Sequence, residues 1–332
     1  MKILITAPAT ETYARYFPEH VIENLRELGE VERNPFDRSF TYDELCEAIA
    51  DKDILVTHWG TPRIDENMLT CAKKLRIVAH AAGSVANVAS DALYLKNIPV
   101  LSANPVMAQY VAESVVGYMI AGTHRFIQTD AILRSGGWDK LISQQTSLFG
   151  AEIGLIGLGT IGRILLDLLA PFRCNVYVYD PFISEDALDK WSFARLCDFE
   201  IAMKKSIVSV HASKTPETYH MINKNALDLL PDGALLINSA RASIIDTAAL
   251  TAKLNEGKIY AVIDVYDEEG AGKIDKNLLS LKNCTLLQPH CAAIAGSFEM
   301  TQAVIEDIKR FIRGDELQLA VSHRQFRLMT QE

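Results

Sequence analysis

The sequence predicts an α/β protein made of two doubly wound parallel-sheet units with a cleft between them. Three observations carry that prediction. Short β-branched, apolar runs alternate with helix-period segments from end to end, the pattern of parallel strands covered by helices. The 332 residues exceed what one hydrophobic core comfortably serves, so two domains are expected. One apolar run ends in a glycine-rich turn that opens a helical segment, and an acidic residue closes the next run.

In the first third the expected strands are Ile3 to Thr6, Ile54 to Thr57, Leu75 to Ala79 and Pro99 to Ser102. A long helical pattern follows from Asn104 to Arg134, started by Asn104-Pro105 and stopped by Gly136-Gly137. Its apolar face is Val111, Val115, Tyr118, Met119 and Gly122. The second set of strands is Ile153 to Ile156, Asn175 to Tyr179, Ile207 to His211, Ala234 to Asn238, Ala261 to Val265 and Thr285 to Leu287. One more helix, Ser297 to Arg313, is expected to return to the first domain, leaving a short tail. The domains expected are 1–101 with 296–332, and 102–295.

The formal charge of −9 opposes nucleic acid and anionic membranes at long range, and neither is an expected partner. A local Arg can still hold a small anion. The run Ile3 to Ala7 is broken by Pro8 and reads as a first strand, not a signal peptide. The apolar stretch Ser114 to Gly122 is too short to span a bilayer. The six cysteines, Cys46, Cys71, Cys174, Cys197, Cys284 and Cys291, have no CxxC spacing. They read as reduced thiols of a cytoplasmic protein with no metal site.

Gly157, Gly159 and Gly162 form a GxGxxG turn after Ile153 to Ile156. The first glycine permits the tight turn, the second lets backbone approach a pyrophosphate, and the third lets the helix pack close. The helix start offers free N–H groups and a positive dipole end to phosphates. Asp180, about twenty residues on, suits a ribose hydroxyl and would repel a 2′-phosphate. The unit therefore reads as Rossmann-like, with NAD as cofactor.

Three polar residues fall where strands of that unit should end: Arg241, Glu269 and His290. In an open α/β sheet those ends border the ligand crevice. Their types match one reaction. An Arg holds a 2-oxo acid through its carboxylate and carbonyl, and a His exchanges a proton with the oxygen that gains or loses charge during hydride transfer. A neighbouring carboxylate orients that imidazole and raises its pKa. Taken singly, each residue could equally be a strand-end ion pair, a solvated acid or a core histidine.

With these segments in order, the chain resembles the D-isomer-specific 2-hydroxyacid dehydrogenase family over most of its length. The matching runs are Gly157 to Gly162, Asp180, His211 to Thr218, Asn238 to Arg241, Asp264 to Glu269 and Pro289-His290, with Val111-Ala112-Glu113 on the long helix. The resemblance implies NAD-dependent, reversible reduction of a small 2-oxo acid to a D-2-hydroxy acid. It makes Arg241 the substrate ligand, His290 the acid/base and Glu269 its partner. Thr160, Ile161, His211, Ala212 and Ala240 would join the glycines and Asp180 at the cofactor, with Asp264 near the nicotinamide carboxamide. Gly83, Ser84 and Val85 resemble the family loop whose N–H groups take the substrate carboxylate, which makes the first domain a flavodoxin-like substrate domain. A homodimer through the cofactor domains is implied as well.

Arg241 is followed by Ala242, Glu269 by Gly270 and His290 by Cys291, all departures from the family pattern. Phosphoglycerate-type members often carry an Arg after the second strand of the first domain, where this chain has His58-Trp59, with Arg63 nearby. That substitution points away from a phosphorylated substrate. No appended regulatory domain is expected after Gln318. Two other readings share the fold: a formate dehydrogenase, against which Glu269 argues, and an NAD-sensing corepressor-like binding module.

Overall fold

A computed structural model describes residues 1–138, 144–267, 273–288 and 296–329. The chain divides into two compact units, Met1–Ala108 with Ala293–Glu332, and Gln109–Ala292. The division falls inside the helix Asn104–Thr123.

Among its described residues the first unit holds five strands: β1 (Lys2–Ile5), β2 (Glu30–Arg33), β3 (Ile54–Thr57), β4 (Ile77–His80) and β5 (Val100–Ser102). They pair in the order β2-β1-β3-β4-β5, all parallel. Apart from the edge strand β2, the strands are buried on both faces because alternate residues serve two cores. Ile3, Ile5, Ile54, Val56, Ile77 and Ala79 pack with Met300, Val304, Ile305 and Ile308 of the helix Ser297–Arg313. Leu4, Leu55, Val78 and Val100 pack on the other face with Leu45, Met68 and Phe326. Each such aliphatic side chain contributes about 1.5–3 kcal/mol by leaving water.

The helix Ser297–Arg313 stops at Gly314, whose φ of 77° is a left-handed cap. The tail then returns to the sheet through the Leu101–Ala320 bridge and forms a further helix, His323–Leu328, which the sequence reading left as tail although Ser322 and Gln325 form a capping box at its start.

The second unit holds seven strands among its described residues: β6 (Glu152–Ile156), β7 (Asn175–Tyr179), β8 (Ala194–Leu196), β9 (Ile207–Val210), β10 (Leu235–Asn238), β11 (Tyr260–Ile263) and β12 (Cys284–Leu286). The order is β12-β11-β10-β9-β6-β7-β8, again all parallel. The winding direction reverses between β6 and β9, and ligands bind in the crevice beyond the carboxyl ends of strands at such a point. The glycine turn leaves β6 there.

The α/β class with parallel sheets is as predicted. Two strands were not foreseen. β2 (Glu-Val-Glu-Arg) and β8 (Ala-Arg-Leu) lie at sheet edges, pair on one side only and carry charge instead of an apolar run. The single long helix expected from Asn104 to Arg134 is also corrected. It is two helices, Asn104–Thr123 and Phe126–Arg134, broken at Arg125, whose φ is 56°. The Arg125 guanidinium donates to Gly122 O at 2.7 Å and Gly233 O at 3.0 Å and lies 3.3 Å from the Tyr260 ring centroid. Tertiary contacts thus hold a conformation that an arginine rarely adopts alone.

Candidate active site

The glycine turn is built by close approach. Gly157 has φ +96°, and a Cβ there would sit 2.7 Å from Ala212 N. Its N–H donates to Tyr179 O at 2.8 Å, while His211 N donates to Ile156 O at 2.7 Å. The turn is thereby clamped between the ends of β7 and β9. A Cβ on Gly162 would meet Gly157 O at 2.9 Å, so the third glycine lets the helix Thr160–Leu169 start against the turn. Gly159 differs: a Cβ there would have nothing within 4 Å. It is the N-cap of the helix, without a side-chain cap and without an acid in the first turn. Gly159 and Thr160 are exposed and Ile161 half-buried. A helix end with open N–H groups and a dipole worth roughly +0.5 charge is suited to an anionic pyrophosphate.

Asp180 follows β7 and is half-buried. One carboxylate oxygen accepts from Leu158 N at 2.8 Å and the other from Phe182 N at 2.9 Å. Of the opposite loop, His211 hydrogen-bonds Ser209 Oγ through Nε2 at 2.8 Å. Burial of its ring lowers its pKa to about 4, so it is neutral at pH 7. Ala212 beside it is half-buried.

Beyond β10, Asn238 shapes the turn that presents Arg241. Its Oδ1 accepts from Ala240 N at 3.1 Å and its Nδ2 donates to Arg241 O at 3.1 Å. Ala240 is buried, while Arg241 is exposed and donates from Nη1 to Ala240 O at 2.7 Å. Beyond β11, Asp264 is 5% exposed and accepts from Tyr118 OH at 3.1 Å. Tyr118 read as one of an apolar stripe, and the contact of its hydroxyl with the candidate site residue Asp264 is one the sequence reading missed. The partners are 146 residues apart, so no local signal could reveal the pair.

In the first unit, Gly83, Ser84 and Val85 follow β4. A Cβ on Gly83 would meet Met107 Cε at 2.4 Å, and its carbonyl accepts from Ser102 Oγ. Ser84 Oγ accepts from Ala86 N at 3.3 Å, and the Val85 side chain is buried. The N–H groups of Gly83, Ser84 and Val85 donate to no acceptor among the described residues. Beyond the neighbouring β3, His58 is fully buried against Tyr13, Tyr16, Phe17 and Trp59. Burial, with His80 nearby, holds its pKa well below the usual histidine value.

Glu269, His290 and Cys291 lie outside the described residues. Among the described residues no His, Cys, Asp or Glu cluster could hold a metal, and Cys46, Cys71, Cys174, Cys197 and Cys284 are free thiols. No described helix is long and apolar enough to cross a membrane.

Comparison with known proteins agrees with this geometry. Residues 116–292 match the family model described as D-isomer specific 2-hydroxyacid dehydrogenase, NAD binding domain. D-3-phosphoglycerate dehydrogenase of Methanocaldococcus jannaschii is 32% identical over 319 residues, covering 95% of this chain and 58% of that protein. The chain thus spans about three-fifths of the length of such a relative. Glyoxylate reductase of Thermococcus litoralis is 30% identical over 312 residues, covering 91% of this chain and 93% of that one. Among solved structures, the TT0316 protein of Thermus thermophilus superposes with a TM-score of 0.77 at 25% identity, covering 97% of this chain and 100% of its own. With more than half of the chain matched by that family's cofactor-domain model and a relative 30% identical over 91% of the chain, the chain belongs to the D-isomer specific 2-hydroxyacid dehydrogenase family.

Proposed function

We propose that this protein reversibly reduces a small 2-oxo acid to the D-2-hydroxy acid with NADH. The observation that carries the reading is the clamped glycine turn, open at Gly159 and flanked by the oriented Asp180 carboxylate, within a matched NAD-binding domain. Gly157, Gly159, Thr160, Ile161 and Gly162 would hold the pyrophosphate and Asp180 the adenosine ribose. His211, Ala212, Ala240 and Asp264 would line the rest of the cofactor's path. A nicotinamide held there would supply or accept the hydride at C2.

This chain's own groups do the remainder. Arg241 pairs with the substrate carboxylate and polarises its carbonyl. The N–H groups of Gly83, Ser84 and Val85 bind the same carboxylate. His290 gives a proton to the C2 oxygen in reduction and takes it back in oxidation, and Glu269 orients the imidazole and raises its pKa. A proton donor of this kind contributes roughly 10²–10⁴-fold.

The substrate we favour has no phosphate. At the place where phosphoglycerate-type members carry an Arg, His58 is buried and neutral, so it adds no cation for a phosphate. We place the protein in the cytoplasm as a homodimer formed through the cofactor domain. Phe126, Ile127 and Leu133, each more than half exposed on one helix, support that contact; light scattering of the purified protein tests it.

Incubation with NADH and glyoxylate, hydroxypyruvate, pyruvate or phosphohydroxypyruvate, followed at 340 nm, tests the activity. Turnover of the unphosphorylated acids supports the reading. Reduction of NAD by formate would instead support a formate dehydrogenase, and tight NADH binding without turnover a sensing module.

A further inference from the structure

The seven-stranded sheet carries a second recess, at the opposite edge from the glycine turn. Ser206 immediately precedes β9, Leu235 opens β10 and Tyr260 opens β11, and all three line it. Because every strand is parallel, these amino ends share one edge, whereas Gly157, Asp180 and His211 follow carboxyl ends. The cavity volume is ≈ 600 Å³, within the usual range for small-molecule sites.

Its floor holds a buried cation that meets carbonyl oxygens and an aromatic ring in place of a carboxylate. Arg125 is 1% exposed and, among the described residues, donates only to the carbonyls of Gly122 and Gly233, with its face on the Tyr260 ring. Its Nε has no acceptor among the described residues, and no carboxylate there pairs with it. Arginine does not escape this cost by losing its proton, and a buried charge without a counter-ion is among the most expensive features a fold can keep.

The rim adds donors. Lys258 and Thr146 line the recess, both exposed. Gln144 accepts from Tyr260 OH through Oε1 at 2.5 Å, which leaves its amide NH₂ to donate elsewhere. Asp232 is the acid in the lining.

We infer that this recess binds a small oxyanion, a phosphate either free or on a small organic molecule, held by Lys258, Thr146 and Gln144 over the field of Arg125. Arg125 acts from beneath the floor through its charge, and the direct contacts fall to the other three. The site is separate from the dinucleotide's, and the inference does not rest on the proposed reaction.

Calorimetric titration of inorganic phosphate, and separately of glycerol 2-phosphate, into the full chain saturated with NADH tests this. Saturating NADH blocks phosphate at the glycine turn. Expected is one saturable site per chain in the wild type. Lys258→Met should weaken it about tenfold or more, as removal of one charged donor does. Asp232→Asn should tighten it several-fold by removing a like charge. If glycerol 2-phosphate binds more tightly, the occupant is an organic monoester; equal affinities identify the free ion. Absence of saturable heat for both probes, or affinities that neither substitution changes, would overturn the inference.

Discussion

The carboxylate of Asp180 accepts a hydrogen bond from the backbone N–H of Leu158 at 2.8 Å, tying the end of β7 to the glycine turn 22 residues earlier. Its other oxygen accepts from Phe182 N. Both oxygens keep further lone pairs, since an ionised carboxylate offers about four acceptor sites. One group can therefore fix the turn and still receive ribose hydroxyls, in an orientation set before any ligand arrives.

Asp180→Asn keeps an acceptor for Leu158, gives up the one for the exposed Phe182 N–H, and removes the charge that opposes a 2′-phosphate. We expect the kcat/KM ratio of NADH to NADPH to fall about tenfold, the order of one charged hydrogen bond. The melting temperature should stay near that of the wild type. Asp180→Ala should lower the ratio as well and also loosen the turn. A ratio unchanged in both variants would remove Asp180 from the ribose.

Gly157 and Gly159 separate stability from binding. Gly157→Ala forces a side chain into a positive φ and into contact with Ala212 N at 2.7 Å. It should cost at least ~1–2 kcal/mol from the backbone alone and lower the urea midpoint of the unit. Gly159→Ala meets nothing within 4 Å and has an ordinary φ of −75°. That variant should unfold like the wild type yet bind NADH less tightly, because its methyl group would stand where the pyrophosphate comes closest. Equal loss of stability in both variants would contradict the division of roles.

Such contrasts show what a sequence can carry. Gly157 and Gly162 were legible because a tight turn and a close helix approach each demand glycine at a fixed spacing. The central strands were legible because burial on both faces requires continuous apolar runs such as Ile54–Thr57. β2 and β8 were not, because an edge strand can be short and charged. The break at Arg125 was hidden since neither Gly nor Pro marks it; the contacts that impose it come from Gly233 and Tyr260, more than a hundred residues on. Tyr118 and Asp264 meet for the same non-local reason. Arg241, Glu269 and His290 were named by chemical type, by their place at expected strand ends and by the family resemblance, and of the three only Arg241 falls among the described residues.

Stability should fall on mild acidification. His80 and His211 have pKa values lowered to about 4 by burial, and that of His58 is lowered by burial and by His80. In the unfolded chain each returns to about 6.5. Below that pH the unfolded state binds more protons, so the stabilisation is complete above about pH 6.5 and is lost as pH falls toward the folded values. The slope is about 1.4 kcal/mol per pH unit for each histidine. Urea midpoints measured from pH 7.5 to 5 should therefore drop. His80→Gln should flatten the slope, whatever it does to stability at pH 7.5, and an unaltered slope would show that His80 charges freely in the folded protein.

Arg241 gives the sharpest test of the reaction. Its backbone is pinned by Asn238, while the residue is exposed beyond β10 with its guanidinium on Ala240 O. Truncating the side chain should therefore leave the turn intact. If the guanidinium forks onto the 2-oxo acid, Arg241→Ala removes two charge-assisted hydrogen bonds, each worth about 1.5–3 kcal/mol. We expect kcat/KM for the oxo acid to fall by at least ~10², with KM raised and kcat lowered together, because the carbonyl contact strengthens as charge develops on oxygen. Lysine at this position should recover only part of the loss, since a point charge cannot make the fork. The dissociation constant of NADH should remain unchanged in both variants. A loss confined to NADH affinity would move Arg241 from the substrate to the cofactor, and an unchanged kcat/KM would remove it from the site altogether.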